Sequence, residues 1–404
     1  MLTEQRVVLG VTGSIACYKA VDLASKLVQA GALVDVVMTR AALEFVRPLA
    51  FRSITHRPVV SDLFDPDSEL AVEHVALAER ADIVVIAPAT ANIVAKMAHG
   101  MADDALTCTV LATKFPVVVA PAMDARMYDN PVTQENLRRL RDRGFTMVGP
   151  EHGRLASGLV GAGRLAPVED IVGTVSMALG LRKGDLAGRH LVVTAGGTQE
   201  PIDPVRFVSN RSSGKMGFAI AEAARDRGAR VALITAPTAL PSPVGVETQR
   251  VQTAVDMRNA VVKAVVDADA LVMAAAVADY QPAQASPQKI KKMRDTLSLE
   301  LVKTPDILAE TKGGFVRVGF AAESQDLIAN AQAKLRSKGL DLIVGNDISA
   351  RDSGFAVDTN RVVLLDRSGQ VEHLPLMLKG EVAHRILDRV AKLLAERDKR
   401  TALA

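Results

Sequence analysis

The sequence has 404 residues, of which 49% are hydrophobic and 24% charged, a balance typical of a globular protein with two or three domains. A formal net charge of +3 is too small to indicate a nucleic-acid partner, and 3% aromatic residues without tryptophan exclude a stacking surface for single strands. Two cysteines exclude a disulfide framework and a cysteine-rich zinc site, and they fit a cytoplasmic protein. No apolar run approaches the ~18 residues of a membrane span, and the N-terminus lacks the basic start of a signal peptide, so we expect no membrane partner.

The first half of the sequence alternates short apolar runs with helical patterns. Strands are predicted at residues 6–11, 34–38, 83–87 and 117–120. A helix is predicted from about residue 15 to 30, because apolar residues recur there at helical spacing and Gly31 ends the pattern. This order is typical of a parallel sheet, in which ligands bind beyond the carboxyl ends of the strands. We therefore expect three loops to converge on one site: residues 13–14, 88–92 and 121–124.

The second half repeats the pattern after a short charged segment with two glycines, residues 182–189. Strands are predicted at residues 190–194, 231–235, 271–276, 340–345 and 361–366, and helices at residues 218–226 and about 380–397. The sequence therefore predicts an α/β protein with two Rossmann-like parallel-sheet domains, residues 1–183 and residues 187–404.

Several polar groups of the first half follow the predicted strands. The turn Gly10-Val-Thr-Gly13-Ser14 offers backbone N–H groups to an anion, but it is not the full Gly-x-Gly-x-x-Gly pattern of dinucleotide sites. A single histidine such as His74 is more often a solvated or packed side chain than a catalyst. Residues 154–164 are rich in glycine, which is typical of a mobile flap over a ligand or of a flexible surface loop.

Together these features resemble the flavin-dependent cysteine decarboxylases, and above all the phosphopantothenoylcysteine decarboxylases. The matching residues are Gly13-Ser-Ile-Ala-Cys-Tyr-Lys19, His74, Ala87-Pro-Ala-Thr-Ala-Asn92 and Pro121-Ala-Met123. The resemblance implies a flavodoxin-like, homo-oligomeric fold, in which trimers bind FMN between subunits. FMN would oxidise the cysteine moiety of the substrate to a thioaldehyde, after which carbon dioxide leaves easily. His74 matches the catalytic histidine. Matches to flavin contacts are Ser14, Thr39, Thr90 and Asn92, and matches to substrate contacts are Asp124 and Met127.

Two positions depart from the family pattern. Asp124 stands where the family has asparagine, and an ionised carboxylate repels a substrate carboxylate that an amide would bind. Ser157 stands where the family often has the cysteine that donates the final proton, and a serine hydroxyl is a poor acid. Either another acid or water completes the reduction, or this half gives a different product.

A second group of motifs follows the strands of the second half. Gly196-Gly-Thr198 follows a strand, and Ser209-Asn-Arg-Ser-Ser-Gly-Lys-Met-Gly217 precedes a helix, as a phosphate cradle or an ordinary helix cap would. The spacing is not that of a P-loop. A buried strand runs out to Asp279, which is typical of a strand-end turn or of a metal or base contact. Four cations lie within residues 289–294, a pattern of a solvated surface or of a triphosphate-binding segment.

These motifs resemble the phosphopantothenate–cysteine ligase half of the bifunctional enzymes of coenzyme A biosynthesis. Further matching strings are Asp203-Pro-Val-Arg206, Ala274-Ala-Ala-Val-Ala-Asp-Tyr280, Lys289-Ile-Lys-Lys292 and Gly319-Phe-Ala-Ala-Glu323. The resemblance implies a ligase, dimeric and assisted by Mg²⁺, in which CTP activates 4'-phosphopantothenate as an acyl-cytidylate and L-cysteine displaces CMP. Asn210 matches the residue assigned to that intermediate. Matches to nucleotide contacts are Met273, Ala274, Ala275, Asp279, Lys289, Pro305, Asp306, Ile307, Leu308, Phe320, Lys334 and Lys338.

We therefore expect a bifunctional enzyme that makes 4'-phosphopantetheine from 4'-phosphopantothenate and cysteine. The departures at Asp124 and Ser157 leave an alternative, an active ligase fused to an altered or regulatory flavin-binding half. A two-domain nicotinamide-dependent reductase is a third hypothesis, although neither glycine turn has the full dinucleotide fingerprint.

Overall fold

The computed structural model describes residues 2–64, 73–291, 296–323, 326–347 and 357–403. Lys292 and Arg294 of the predicted basic segment lie outside these residues. The chain divides into two compact units, Met1–Leu179 and Gly180–Ala404, and each has its own sheet and its own apolar core. Within the described residues, no helix is long and apolar enough to cross a bilayer.

The first unit is built on a six-stranded parallel sheet. Its strands are β1 (Arg6–Val11), β2 (Leu33–Met38), β3 (Val59–Val60), β4 (Ile83–Ala89), β5 (Val117–Pro121) and β6 (Thr146–Met147). Their order is β3-β2-β1-β4-β5-β6, the Rossmann order, and without the short β3 the other five strands follow the flavodoxin order. The predicted fold class is confirmed for this unit.

Helices cover both faces of this sheet. They are α1 (Cys17–Gln29), α2 (Pro48–Thr55), α3 (Glu73–Arg80), α4 (Ala91–His99), α5 (Ala105–Ala112), α6 (Ala125–Tyr128), α7 (Pro131–Asp142) and α8 (Val168–Lys183). Because side chains alternate along a strand, Leu9 packs into the apolar cluster on one face and Val8 into the cluster on the other. An antiparallel hairpin, β7 (Glu151–Arg154) and β8 (Val160–Arg164), precedes α8.

The second unit is built on an eight-stranded sheet with two small antiparallel pairs beside it. The strands are β9 (His190–Ala195), β10 (Gln199–Pro201), β11 (Phe207–Ser209), β12 (Arg230–Thr235), β13 (Glu247–Arg250), β14 (Ala270–Met273), β15 (Tyr280–Pro282), β16 (Leu301–Lys303), β17 (Val316–Glu323), β18 (Leu342–Asp347), β19 (Thr359–Asp366) and β20 (Val371–Leu378). The large sheet has the order β13-β12-β9-β14-β17-β18-β19-β20. Its first six strands are parallel to one another. β19 runs antiparallel to its neighbour β18, and β20 runs antiparallel to β19.

The helices of the second unit are α9 (Lys215–Asp226), α10 (Ala254–Ala264), α11 (Ile307–Glu310), α12 (Leu327–Lys338) and α13 (Lys379–Leu403). Several details differ from the sequence prediction, among them the following three. β14 ends at Met273 instead of Ala276, because residues 274–276 leave the strand to bond to the loop after β9. β20 was not predicted; it contains Pro375, which is tolerated because the strand lies at the edge of the sheet. The charged segment at residues 182–189, predicted to separate the two domains, begins inside α8, which continues to Lys183.

Candidate active sites

The carboxyl ends of four strands meet at one edge of the first sheet. Val11 pairs with Met38 at the ends of β1 and β2, and Ala89 pairs with Pro121 at the ends of β4 and β5. The residues predicted to bind flavin follow these strand ends directly or stand in the next helical turn: Ser14, Thr39, Thr90 and Asn92. The predicted convergence of the loops on one edge is therefore what the structure shows.

Thr12 joins the ends of β1 and β4, between which the strand order reverses. Its Oγ1 donates to the Pro88 carbonyl oxygen (2.6 Å) and accepts the backbone N–H of Thr90 (3.2 Å). Such reversal points are where open parallel sheets bind ligands. Sequence reasoning did not select Thr12, although a hydroxyl residue at the end of a buried strand was the available signal.

The hydroxyl oxygen of Thr39 is buried and has no hydrogen-bond partner among the described residues. An unpaired buried hydroxyl costs about 1–3 kcal/mol, so a polar ligand that bonds to it would relieve that cost. The neighbouring turn requires Gly13, because a Cβ there would lie 2.5 Å from the Cβ of Ala41. A narrow glycine turn, a strand reversal and an unpaired hydroxyl at one edge fit a phosphorylated ring cofactor.

His74 is the second residue of α3 and is half-buried. α3 connects the parallel strands β3 and β4, and a helix that connects parallel strands runs antiparallel to them. The first turn of α3 therefore lies at the carboxyl edge of the sheet, on the side of Thr39 and Thr90. Residues 65–72, directly before this helix, lie outside the described residues.

The glycine-rich residues 154–164 form the turn and second strand of the β7–β8 hairpin, which packs on the segment after β5. The N–H of Met123 donates to the Gly163 carbonyl oxygen (2.9 Å). A Cβ on Gly163, whose φ is 148°, would lie 2.2 Å from the carbonyl oxygen of Met123. Only glycine permits this approach, so the hairpin is docked at the edge where β4 and β5 end.

The turn of this hairpin brings together the two residues that depart from the family pattern. Ser157 Oγ donates to Asp124 Oδ2 (2.6 Å), and Asp124 Oδ1 accepts the N–H of Arg126 (3.0 Å) as the N-cap of α6. The Ser157 hydroxyl, followed by that N–H, lowers the pKa of Asp124. Asp124 is therefore a carboxylate at neutral pH, and the Ser157 proton is directed at it. Met127, the residue directly after Arg126, is half-exposed.

Neither cysteine lies in the hairpin. Cys17 is buried at the start of α1, where its thiol contacts the Thr12 carbonyl oxygen (3.0 Å), and burial raises its pKa. Cys108 is half-buried in α5, and burial raises its pKa as well. No three His, Cys, Asp or Glu side chains of the described residues are grouped to hold a metal ion.

The second unit contains a cavity of about 920 Å³, at the point where the strand order reverses between β9 and β14. Most ligase residues predicted from the sequence line it: Asn210, Met273, Ala274, Ala275, Asp279, Pro305, Asp306, Ile307, Leu308, Phe320, Lys334 and Lys338. Lys289 is exposed and stands outside this lining. The cavity therefore unites segments that are far apart in the chain, without Lys289.

Two threonines, one at the end of β9 and one in the loop after it, fix the loop after β14. Thr194 Oγ1 accepts the N–H of Ala275 (3.1 Å), and Thr198 Oγ1 accepts the N–H of Ala278 (2.9 Å). Asn210 Nδ2 donates to the Val277 carbonyl oxygen (3.0 Å). This loop is thus held by three hydrogen bonds, and its backbone presents a fixed surface to a ligand.

The predicted lysines enter the cavity from α12. Lys334 donates to the Phe320 carbonyl oxygen (2.8 Å), and Lys338 forms an ion pair with Asp306. Burial of Asp306 opposes its ionisation, but the Lys338 ammonium and the Ala309 N–H outweigh that effect and lower its pKa. The cavity thus carries cations that are held in place by oxygen atoms of the protein.

Sequence reasoning missed a third group of cavity residues: Asn346, Asn360 and Lys379. Lys379 is buried and donates to the Val357 carbonyl oxygen (2.5 Å), while nearby Lys215 pairs with Asp358 (2.7 Å). Burial, followed by the charge of Lys215, lowers the pKa of Lys379 to about 8, against the opposing charge of Asp358. These residues lie in β18, β19 and the first turn of α13, where no motif marked them.

Comparison with known proteins gives two family matches. Residues 1–180 match the family described as Flavoprotein, and residues 186–394 match the family described as DNA/pantothenate metabolism flavoprotein C-terminal domain.

Full-length relatives agree with both matches. The coenzyme A biosynthesis bifunctional protein CoaBC of Bacillus subtilis (strain 168) is 45% identical over 406 residues, covering 99% of this chain and 100% of the relative. The protein of the same name from Escherichia coli (strain K12) is 42% identical over 407 residues, covering 99% of this chain and 100% of the relative. A crystal structure of the C-terminal domain of such a protein is 40% identical and covers 53% of this chain and 100% of that chain, with a TM-score of 0.46. The chain belongs to the family of the CoaBC bifunctional proteins, enzymes of coenzyme A biosynthesis that combine a flavoprotein decarboxylase half with a ligase half.

Proposed function

We propose that residues 187–404 join 4'-phosphopantothenate to L-cysteine at the expense of CTP, and that residues 1–183 decarboxylate the product with FMN. The observation that carries this proposal is the cavity of the second unit, which brings Asn210, Asp279 and the lysines of α12 around one space. The full-length relatives are named as bifunctional, which disfavours a purely regulatory first half. We further propose a cytoplasmic homo-oligomer, with trimers of the first unit and dimers of the second.

The ligase reaction needs an activated carboxylate, because a free carboxylate is a poor acyl donor at neutral pH. The carboxylate oxygen attacks the α-phosphorus of CTP, the bond to pyrophosphate breaks, and the cysteine amine then displaces CMP from the acyl carbon. We assign the Asn210 amide to the acyl-cytidylate and the backbone of residues 273–275 to the nucleotide. Lys334 and Lys338 offset charge that develops on the phosphates, with Mg²⁺ as the divalent cation.

The edge of the first sheet fits FMN, because it offers the buried Thr39 hydroxyl together with the Ser14 and Thr90 hydroxyls and the Asn92 amide. FMN, when bound, supplies the reversible oxidation of the cysteine moiety. We assign His74 the role of base at this edge. Asp124 contacts the docked hairpin that would cover the substrate, and Met127 lies in the short helix α6 that Asp124 caps.

Ser157 occupies the position of the family's proton donor, but its own proton is directed at the ionised Asp124. A hydroxyl bonded to a carboxylate is a weaker acid than a thiol, since losing its proton would place two anions side by side. We therefore propose that another acid or water donates the final proton, and that Ser157 and Asp124 hold the hairpin turn in place.

The nucleotide assignment predicts strict dependence on CTP. Purified protein with 4'-phosphopantothenate, cysteine and Mg²⁺ should release pyrophosphate only when CTP is present, and chelation of Mg²⁺ should stop the release. Equal pyrophosphate release with ATP would contradict the assignment to CTP. Protein that lacks flavin is the control, because ligation needs only the second unit.

The flavin site predicts that Thr39→Val weakens FMN binding roughly tenfold, the effect of losing one hydrogen bond to a charged or strongly polar group. The stability of the flavin-free protein should not fall, because the substitution removes a buried hydroxyl that lacks a partner. Fluorescence titration with FMN measures the affinity.

Thr109→Val is the matched control for this prediction. It also removes a buried threonine hydroxyl, one that donates to Ala105 within α5 and away from the strand ends. It should leave the affinity for FMN unchanged. Equal affinities in wild type and Thr39→Val would remove Thr39 from the flavin site.

The Ser157–Asp124 contact predicts that wild type and Ser157→Ala both release fully reduced 4'-phosphopantetheine. Ser157→Ala should lower turnover only a fewfold, because it loosens the hairpin turn without removing the proton donor. Mass analysis of the product decides between the alternatives. A product lighter by two hydrogen atoms from Ser157→Ala alone would show that Ser157 is the donor, and the same product from wild type would mean that reduction stalls.

The lowered pKa of Lys379 leads us to predict that CTP binding depends on pH. Its pKa of about 8 makes it a cation below that pH and neutral above it, so KM for CTP should rise as the pH increases from about 7 to 9.5. With Mg²⁺ in excess, the terminal phosphate of CTP titrates below this range and adds no titration of its own. Lys379→Met should give a raised KM that is flat over the same range.

Lys392→Met, an exposed substitution on the same helix, is the control for Lys379 and should keep the wild-type profile. The profile is measured from initial rates of pyrophosphate release at saturating 4'-phosphopantothenate and cysteine. A KM that rises equally in wild type and Lys379→Met would assign the titration to another group.

A further inference from the structure

Asp203 is a buried carboxylate that accepts hydrogen bonds on both of its oxygen atoms. Oδ1 accepts the N–H groups of Val205 and Arg206 (both 2.9 Å), and Oδ2 accepts Arg206 Nε (2.9 Å) and the N–H of Ile290 (3.1 Å). The side chain is fully buried, and the Arg206 guanidinium holds the pKa of Asp203 well below its usual range. Three of these bonds are local, whereas the bond to Ile290 reaches a distant part of the chain.

Ile290 is held at both of its backbone groups. Its N–H donates to Asp203, and its carbonyl oxygen accepts Arg206 Nη2 (2.7 Å). Nearby, the N–H of Ser286 donates to the Ile202 carbonyl oxygen (2.9 Å). Three long-range hydrogen bonds therefore hold residues 286–290 against residues 202–206, although both segments are at the surface.

Both of these hydrogen-bonded segments lead to residues that line the ligase cavity. Residues 283–291 follow β15, and Tyr280 of that strand lines the cavity. Residues 202–206 lead through β11 to Asn210, which also lines it. Lys289 and Lys291 flank Ile290 and are exposed, so the contacts of Ile290 determine where these two cations are presented.

We propose that Asp203 is a positioning residue of the ligase, which fixes Lys289 and Lys291 beside the cavity by binding the backbone of Ile290. The proposal rests on the assignment of Lys289 to the nucleotide. A surface segment without this contact would spread its lysines over many positions, and binding of a polyanion would have to order it. Asp203 removes that entropic cost before the nucleotide binds.

Asp203→Asn tests the proposal in the full-length protein. In one orientation of the amide, the NH₂ group meets the N–H of Ile290 and Arg206 Nε, and in the other it meets the N–H groups of Val205 and Arg206. Both orientations also remove the negative charge that holds the Arg206 guanidinium, and with it the bond of Arg206 to Ile290 is weakened. We expect faster trypsin cleavage after Lys289 and Lys291, and a roughly tenfold higher KM for CTP with kcat little changed. Asp256→Asn, at a helix cap in the same unit, is the matched control and should change neither quantity.

A double variant separates positioning from a structural role. Lys289→Ala and Lys291→Ala together should raise KM, and Asp203→Asn added to them should raise it no further, because Asp203 acts through these lysines. An additive increase, a fall in kcat with unchanged KM, or unchanged cleavage would each overturn the proposal.

Faster cleavage with an unchanged KM would also overturn it, while CTP-dependent ligation by wild type would still support the proposed function. If Asp203→Asn does not fold, Arg206→Gln removes the contact with the Ile290 carbonyl oxygen from a half-exposed position. It should give a smaller change of the same sign in cleavage and in KM, and no change in either would overturn the proposal.

Discussion

In both units, threonine hydroxyls bond to backbone groups that would otherwise lack a hydrogen-bond partner where the strand order reverses. Where the connections of a parallel sheet diverge, the backbone groups beyond the last paired residues have no neighbouring strand to bond. Thr12 bonds to Pro88 and Thr90 in the first unit, and Thr194 and Thr198 bond to the loop after β14 in the second. The loops on either side are thereby fixed at a set separation, and the polar groups they carry are positioned by the sheet.

Asp124 and Ser157, the two residues that depart from the family pattern, are hydrogen-bonded to each other, so the two departures are physically linked. A carboxylate at position 124 needs a hydrogen-bond donor, and a serine hydroxyl supplies a stronger one than a thiol. Position 157, which carries the proton-donating cysteine in the family pattern, here carries a serine whose hydroxyl donates a hydrogen bond to Asp124. Under the proposed function, the final proton would therefore come from a group other than the hairpin side chain.

Local patterns in the sequence predicted the parts of the structure that depend on local physics. Buried strands, the helices after them and the positions just beyond strand ends follow from apolar spacing and from the geometry of parallel sheets. Contacts such as Ser157 with Asp124 and Asp203 with Ile290 did not follow, because they depend on how a hairpin or a loop docks against a distant segment. Lys379 was not predicted for the same reason, because its place in the cavity depends on how β19 and β20 extend the sheet.

Three lysines of the ligase cavity already have oxygen partners in the protein, and this limits what can bind there. Lys338 pairs with Asp306, Lys215 with Asp358, and Lys334 bonds to a carbonyl oxygen. A triphosphate must compete with these partners, and any carboxylate it displaces would then repel its phosphates. A nucleotide that arrives with a divalent cation avoids that repulsion, because the metal ion can take carboxylate oxygens as ligands while the ammonium groups turn to phosphate. The arrangement therefore supports the proposal of a metal-bound triphosphate as the ligand, over either a free triphosphate or a monovalent anion.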